Sequence, residues 1–137
     1  MNEKNIFRAK NMDTEKWVEG YACKGPVTGL PAIQMLDTLK IVDILPETLG
    51  QSSGVCDKKR TAQYPQGQMI FEGDIVSGLF RFGLAFNAVV TFQDGSFGLE
   101  WNRNGQTQFC AFTSFCNVEF EVIGNLSDTP ELMEDDR

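Results

Sequence analysis

Two pairs of carboxylates stand two residues apart in the chain, Glu72 with Asp74 and Glu119 with Glu121. Carboxylates paired in space can pass protons or hold Mg²⁺. Residues two apart on a strand also simply share one side of it. Val118, Phe120 and Val122 alternate with Glu119 and Glu121, so that pair reads as the solvated side of a strand whose other side is core. Asp74 follows Gly73. A glycine supplies positive φ in a turn, and an adjacent carboxylate accepts hydrogen bonds from the turn's N–H groups. Asp74 is therefore expected to be structural. Cys110 and Cys116 are six apart and would share a face with Phe112 on a continuous strand, where thiols pack as small apolar groups. A thiolate nucleophile needs a cationic neighbour, and Arg103 lies too far along the chain, in a turn, to serve Cys110. Lys58-Lys59-Arg60 is the one basic run. It reads as a solvated loop, with a phosphate contact as the alternative, and no glycine-rich phosphate loop accompanies it.

Composition narrows the chemistry further. The chain has no histidine, which removes the commonest general base, the Ser-His and Cys-His nucleophile pairs and most zinc sites. The four cysteines, Cys23, Cys56, Cys110 and Cys116, include no C-x-x-C and resemble neither a disulfide framework nor a zinc clip. Free thiols in a reducing cytoplasm are the expectation. No catalytic residue, metal ligand or cofactor-binding residue is assigned, and no enzyme activity is expected. The net charge of −7 disfavours broad contact with nucleic acid or with an anionic membrane surface, since both demand clustered Lys and Arg. The segment Met1 to Asp13 is polar and mixed in charge, unlike a signal peptide, and no apolar run approaches the roughly 20 residues of a membrane helix.

The elements that would position these groups are mostly strands. Phe7-Arg8-Ala9 is short and apolar at its ends. Asn11 to Lys16 reads as a turn. From Trp17 to Cys23 the chain alternates, with Val18, Gly20 and Ala22 on one side. Leu39 to Leu45 is rich in β-branched residues and predicts a strand, while Ala32 to Leu36 is ambiguous. Pro46-Glu47-Thr48 reads as a turn or one helical turn, and Gln51 to Val55 as a short extended piece. Asp57 to Gln68 is a polar loop and the best candidate boundary. Ile70-Phe71 then lead into the Gly73-Asp74 corner. Strands are predicted over Ile75–Phe82, Ala88–Phe92 and Val118–Ile123, and a helix start at Ser127 to Glu131.

Asp94-Gly95 and Asn104-Gly105 are two-residue hairpin signals, and together they fix a register. Phe92 faces Phe97 and Val90 faces Leu99 across the first turn. Phe97 faces Phe112 and Leu99 faces Cys110 across the second. One face of the meander then carries all six residues, and a slip by one residue would expose the whole set. Trp101, Phe109, Phe115 and the stretch Phe80 to Phe82 are assigned to the opposite face. Either a second layer covers them, or they form a contact surface for a subunit or ligand. Base stacking there would need cations, and only Arg81 and Arg103 are near.

Five stretches in order carry a family resemblance. Phe71-Glu72-Gly73-Asp74-Ile75-Val76 resembles the signature of YopX-type proteins of bacteriophages and prophages, and Gly50 to Lys58 is similar to the segment that precedes it. Phe7-Arg8-Ala9 with Trp17-Val18-Glu19-Gly20 resembles the family's opening. Val89 to Phe97 resembles its hairpin, and Glu121 to Asn125 with Pro130-Glu131-Leu132 its ending. The loop Arg60 to Gln68, with Tyr64 and Pro65, is longer than the family pattern. The resemblance implies a mainly β fold, a bacterial cytoplasmic setting and a mobile-element origin. It implies no reaction.

The resulting expectation is a mainly β protein. A β-rich N-terminal segment occupies residues 1–67. A small antiparallel barrel, SH3-like or similar, occupies 68–137 with a short helical turn and an acidic tail. Its task is expected to be non-catalytic: binding itself as a homo-oligomer, or binding a protein partner. A nucleic-acid-associated module is the alternative, disfavoured by charge. A carboxylate- or metal-dependent enzyme is the least favoured reading.

Overall fold

The computed structural model describes residues 6–26, 28–79, 85–93, 95–103, 105–111 and 120–133. The chain divides into two compact units, Met1–Gly54 and Val55–Arg137. Both are built from antiparallel strands, and the only helical pieces among the described residues are single 3-10 turns at Pro46–Thr48 and Pro130–Met133.

In the first unit the strands are β1 (Phe7–Lys10), β2 (Trp17–Lys24), β3 (Pro31–Met35), β4 (Ile41–Asp43) and the start of β5 (Gly50–Cys56). They lie in the order β4-β3-β2-β1-β5. Alternation along β2 works as the sequence predicts: Val18 packs on the core of Ala9, Ile33 and Ile44, while Tyr21 is exposed. Gly20 sits where strands approach closely, and a Cβ there would collide with the Gln34 carbonyl. On the other side of the sheet Arg8 and Lys10 stand over the Trp17 ring, 4.6 and 5.4 Å from its centroid, in the cation–π arrangement. The strand expected over Leu39–Leu45 is shorter. Leu39 takes a φ of 63° and closes the hairpin by donating its N–H to the Met35 carbonyl at 2.9 Å, so β4 begins only at Ile41.

The second unit opens with the end of β5, which lies beside β6 (Met69–Phe71). Five further strands follow: β7 (Asp74–Leu79), β8 (Ala85–Gln93), β9 (Ser96–Arg103), β10 (Gln106–Ala111) and β11 (Phe120–Asn125). They form a sheet of order β10-β9-β8-β7-β11. This corrects the expectation of a barrel. Among the described residues β10 and β11 are opposite edges of an open sheet: β11 ladders on β7, and two of its N–H groups are taken by side chains. Val122 donates to Asp57 Oδ2 at 2.9 Å and Asn125 to Thr129 Oγ1 at 3.0 Å. Instead of curling shut, the sheet is covered. Ile70 and Val55 pack on Val76, Ala88, Val90 and Leu99 on one face. On the other, the 3-10 turn at Pro130–Met133 lies against β8, with Asn87 Nδ2 donating to the Leu132 carbonyl at 3.0 Å.

The meander register is the one the two glycine turns require. Phe92 pairs with Phe97, Val90 with Leu99, and Leu99 with Cys110. Gly95 and Gly105 both sit at φ 79°. The rings of Phe92 and Phe97 meet edge-on with centroids 4.9 Å apart. The predicted neighbour Phe112 lies outside the described residues, as do Phe80 to Phe82, Phe115, Cys116, Val118 and Glu119. The assignment of Trp101 is corrected. Trp101 is two residues beyond Leu99, so period two puts it on the same face, and it packs against the Val90–Leu99 core. Phe109 does lie on the opposite face, paired with Glu100 and folded over Gly98.

Candidate functional site

The corner at Phe71–Asp74 is tightly built from its own residues. Gly73 adopts φ 93°, and Asp74, with no exposed surface, accepts the Phe71 N–H on Oδ2 at 2.8 Å. Gly73 in turn donates to the Val90 carbonyl at 2.8 Å and accepts from Leu126 N–H at 2.9 Å, so the corner pins β8 and the segment after β11. Asp74 therefore has the structural place expected of it, and it forms no solvated carboxylate pair with Glu72. Of the second pair, Glu121 is half-buried, with Oε2 facing Lys59 Nζ at 3.8 Å.

The most elaborate polar site lies elsewhere, in the loop between β5 and β6. Asp57 is 2% exposed. Its Oδ1 accepts the Gln68 N–H at 2.9 Å, its Oδ2 accepts the Val122 N–H at 2.9 Å, and its own N–H donates to the Gln68 carbonyl at 2.9 Å. The carboxylate thus closes the base of the loop and fastens it to β11. Above it the chain winds on itself. Thr61 Oγ1 accepts from Tyr64 N–H at 2.9 Å, and the Tyr64 carbonyl accepts from Gly67 N–H at 3.0 Å. Gly67 has φ 95°, and a Cβ there would stand 2.8 Å from Nη1 of Arg60. That Nη1 donates to the Asp57 carbonyl at 2.7 Å. A cleft of about 400 Å³ opens between the loop and β11, lined chiefly by Asp57, Lys59, Thr61, Gln63, Tyr64 and Gln68.

Sequence reading placed Asp57 at the mouth of a polar loop and gave it no task. Its position directly after the apolar end of β5 was the one available signal, since a carboxylate there starts out beside core. All three residues of the basic run, Lys58, Lys59 and Arg60, are exposed, as expected of a solvated loop; Arg60 Nη1 also donates to the Asp57 carbonyl, and Lys59 faces Glu121 at 3.8 Å. Cys110 is half-buried on the Leu99 face, and Cys23 and Cys56 are likewise half-buried and form no disulfide among the described residues. No three His, Cys, Asp or Glu gather as a metal-sized cluster among the described residues, and no helix there is long and apolar enough to cross a membrane.

Two antiparallel-sheet units, a glycine-aspartate corner and a carboxylate-tied loop define a mainly β protein. The family described as YopX protein matches residues 6–134, nearly the whole chain, and the chain belongs to that family. No curated relative and no solved structure gives a significant match.

Proposed function

We propose that this protein is a phage or prophage accessory protein of the host cytoplasm that performs no covalent chemistry and acts by binding a second copy of itself or another macromolecule. The observation that carries this reading is the state of Asp57. Both of its carboxylate oxygens accept backbone N–H groups and the side chain is buried, so the group is committed to holding the loop. Arg60 is spent on a carbonyl in the same way, and Lys59 faces a carboxylate. What the cleft offers a visitor is the hydroxyl of Thr61, the amide of Gln63 and the exposed Tyr64 side chain. Those groups give shape and hydrogen bonds, which suits recognition more than proton transfer. The net charge of −7 also leaves little attraction for a phosphate backbone.

The test is the assembly state of the full chain by light scattering, together with cross-linking mass spectrometry in infected host cells. A defined self-assembly or a reproducible partner supports the reading. A strict monomer with no partner overturns it. Titration with single-stranded oligonucleotides at low salt is expected to show no binding. Saturable binding there would move the reading to the nucleic-acid alternative.

A further inference from the structure

The two edges of the five-stranded sheet are treated very differently. An exposed edge invites another strand, and proteins blunt it with charge, proline, a bulge or a covering segment. The β11 edge carries three such devices. Its register is interrupted between Val122 and Gly124, its Val122 and Asn125 N–H groups are capped by Asp57 and Thr129, and Glu121 stands on it facing Lys59. Among the described residues β10 carries none of them. Its six residues, Gln106-Thr107-Gln108-Phe109-Cys110-Ala111, include no charge and no proline, and among the described residues β10 pairs with β9 alone.

The hairpins also fix which groups of β10 point outward. The residues that flank a two-residue hairpin loop exchange both backbone bonds. Arg103 and Gln106 flank the Asn104-Gly105 loop, so Gln106, Gln108 and Cys110 bond inward to β9. The preceding hairpin agrees: Gln93 and Ser96 flank its loop, which turns Leu99, Trp101 and Arg103 towards β10. Thr107, Phe109 and Ala111 are left with N–H and C=O directed away from the sheet. These three are evenly spaced about Phe109, so the edge is complementary to itself under a two-fold rotation. The Phe109 ring does not obstruct it, being folded inward where a Cβ on Gly98 would lie 2.5 Å from its Cζ.

We propose that β10 is a self-association edge, at which two copies of this chain pair antiparallel about a two-fold axis through Phe109. This rests on the reading of the molecule as a binding protein and names its partner as a second copy. Phe109 pairs with Phe109 of the second copy, and Thr107 pairs with Ala111 in both directions. The three pairs exchange about six backbone hydrogen bonds. Gln108 stands opposite Cys110 of the second copy in a non-hydrogen-bonded pair, with Cα atoms about 4.5 Å apart. No like charges face each other within β10, which matters for a chain of net charge −7.

Two variants of the full chain test this. Thr107→Pro removes an outward N–H, at a position where an edge strand tolerates proline, together with the exposed hydrogen bond from Thr107 Oγ1 to Asn102 Oδ1 at 3.1 Å, and is expected to raise the dimer dissociation constant by at least about tenfold. Gln108→Cys is expected to form a disulfide-linked dimer with the native Cys110 of the second copy under mild oxidation, since that Cα spacing falls within the range of about 4.4–6.8 Å a disulfide spans. Where Thr107→Pro fails to fold, the cross-link alone decides. A wild-type dimer that gives no cross-link overturns the β10 edge while leaving self-association standing. A wild-type monomer that captures another partner overturns the dimer but not the binding function, and a monomer with no partner overturns both.

Discussion

At the Gly73 corner, Asp74 reaches back three residues to the Phe71 N–H; at the base of the β5–β6 loop, Asp57 reaches forward 11 residues to Gln68 and 65 residues to Val122. Both carboxylates are buried and both accept backbone N–H groups. The first stabilises a turn that its own neighbours already specify. The second joins segments that meet only when the sheet has formed, so its contribution belongs to tertiary structure. A buried carboxylate is costly unless its oxygens are satisfied, and the two sites satisfy that demand on opposite length scales. Substitutions at the two corners should therefore differ in size.

The largest effect is expected from Asp57→Ala. It strips the acceptor from two part-buried N–H groups at once, at about 1.5–3 kcal/mol for each bond to a charged group, for a loss of about 4 kcal/mol by urea denaturation. Asp57→Asn retains one carbonyl oxygen but turns an NH₂ towards a donor, so it should recover less than half of that loss. Hydrogen exchange at both Gln68 and Val122 should accelerate in Asp57→Ala, and at one of the two in Asp57→Asn, because those N–H groups lose their partner. A cost of about 2 kcal/mol or less for Asp57→Ala would place the long-range tie on a level with the local one and end the contrast. Asp74→Ala comes next, at about 2 kcal/mol, with the Phe71 N–H left buried.

The same difference in length scale governs what could be read from the sequence. The Asp94-Gly95 and Asn104-Gly105 turns are specified by adjacent residues, and they correctly dictated Phe92 against Phe97 and Leu99 against both Val90 and Cys110. Asp74 was legible for the same reason, because its glycine stands beside it. Trp101 was assigned to the wrong face although period two already decided it, so that error lay in applying the rule and not in missing information. The open sheet was not legible, because which strand β11 joins depends on β7, 46 residues away by the ladder Val122–Val76. Asp57 was missed on the same ground: neither Gln68 nor Val122 marks itself as a donor awaiting a carboxylate. The β10 edge could be read for its lack of charge, but not as an edge until the strand order was known.

A smaller effect separates backbone conformation from packing at the corner. Gly73 holds φ 93°, yet a Cβ built there has no neighbour within 4 Å. Gly73→Ala should then cost only the conformational penalty of a side chain in that region, about 1–2 kcal/mol. At Gly20, whose added Cβ would collide with the Gln34 carbonyl, the same substitution forces strands apart and should cost more. Equal losses at the two glycines, measured by thermal unfolding, would mean that the corner is as crowded as the centre of the first unit's sheet.

The smallest effect is expected at the rim of the cleft. Lys59 and Glu121 stand 3.8 Å apart with side chains 62% and 36% exposed, so water screens their attraction and ordering the long lysine chain offsets what remains. A double-mutant cycle of Lys59→Ala and Glu121→Ala should give a coupling energy below about 0.5 kcal/mol, fading further with added salt. The loop is held from beneath by Asp57 and not from above by this pair, so Lys59→Ala should leave the unfolding midpoint almost unmoved. A coupling above about 1 kcal/mol would show that the rim fastens the loop as well. Asp57 would then share the role assigned to it, and the cleft would be closed at both its base and its mouth.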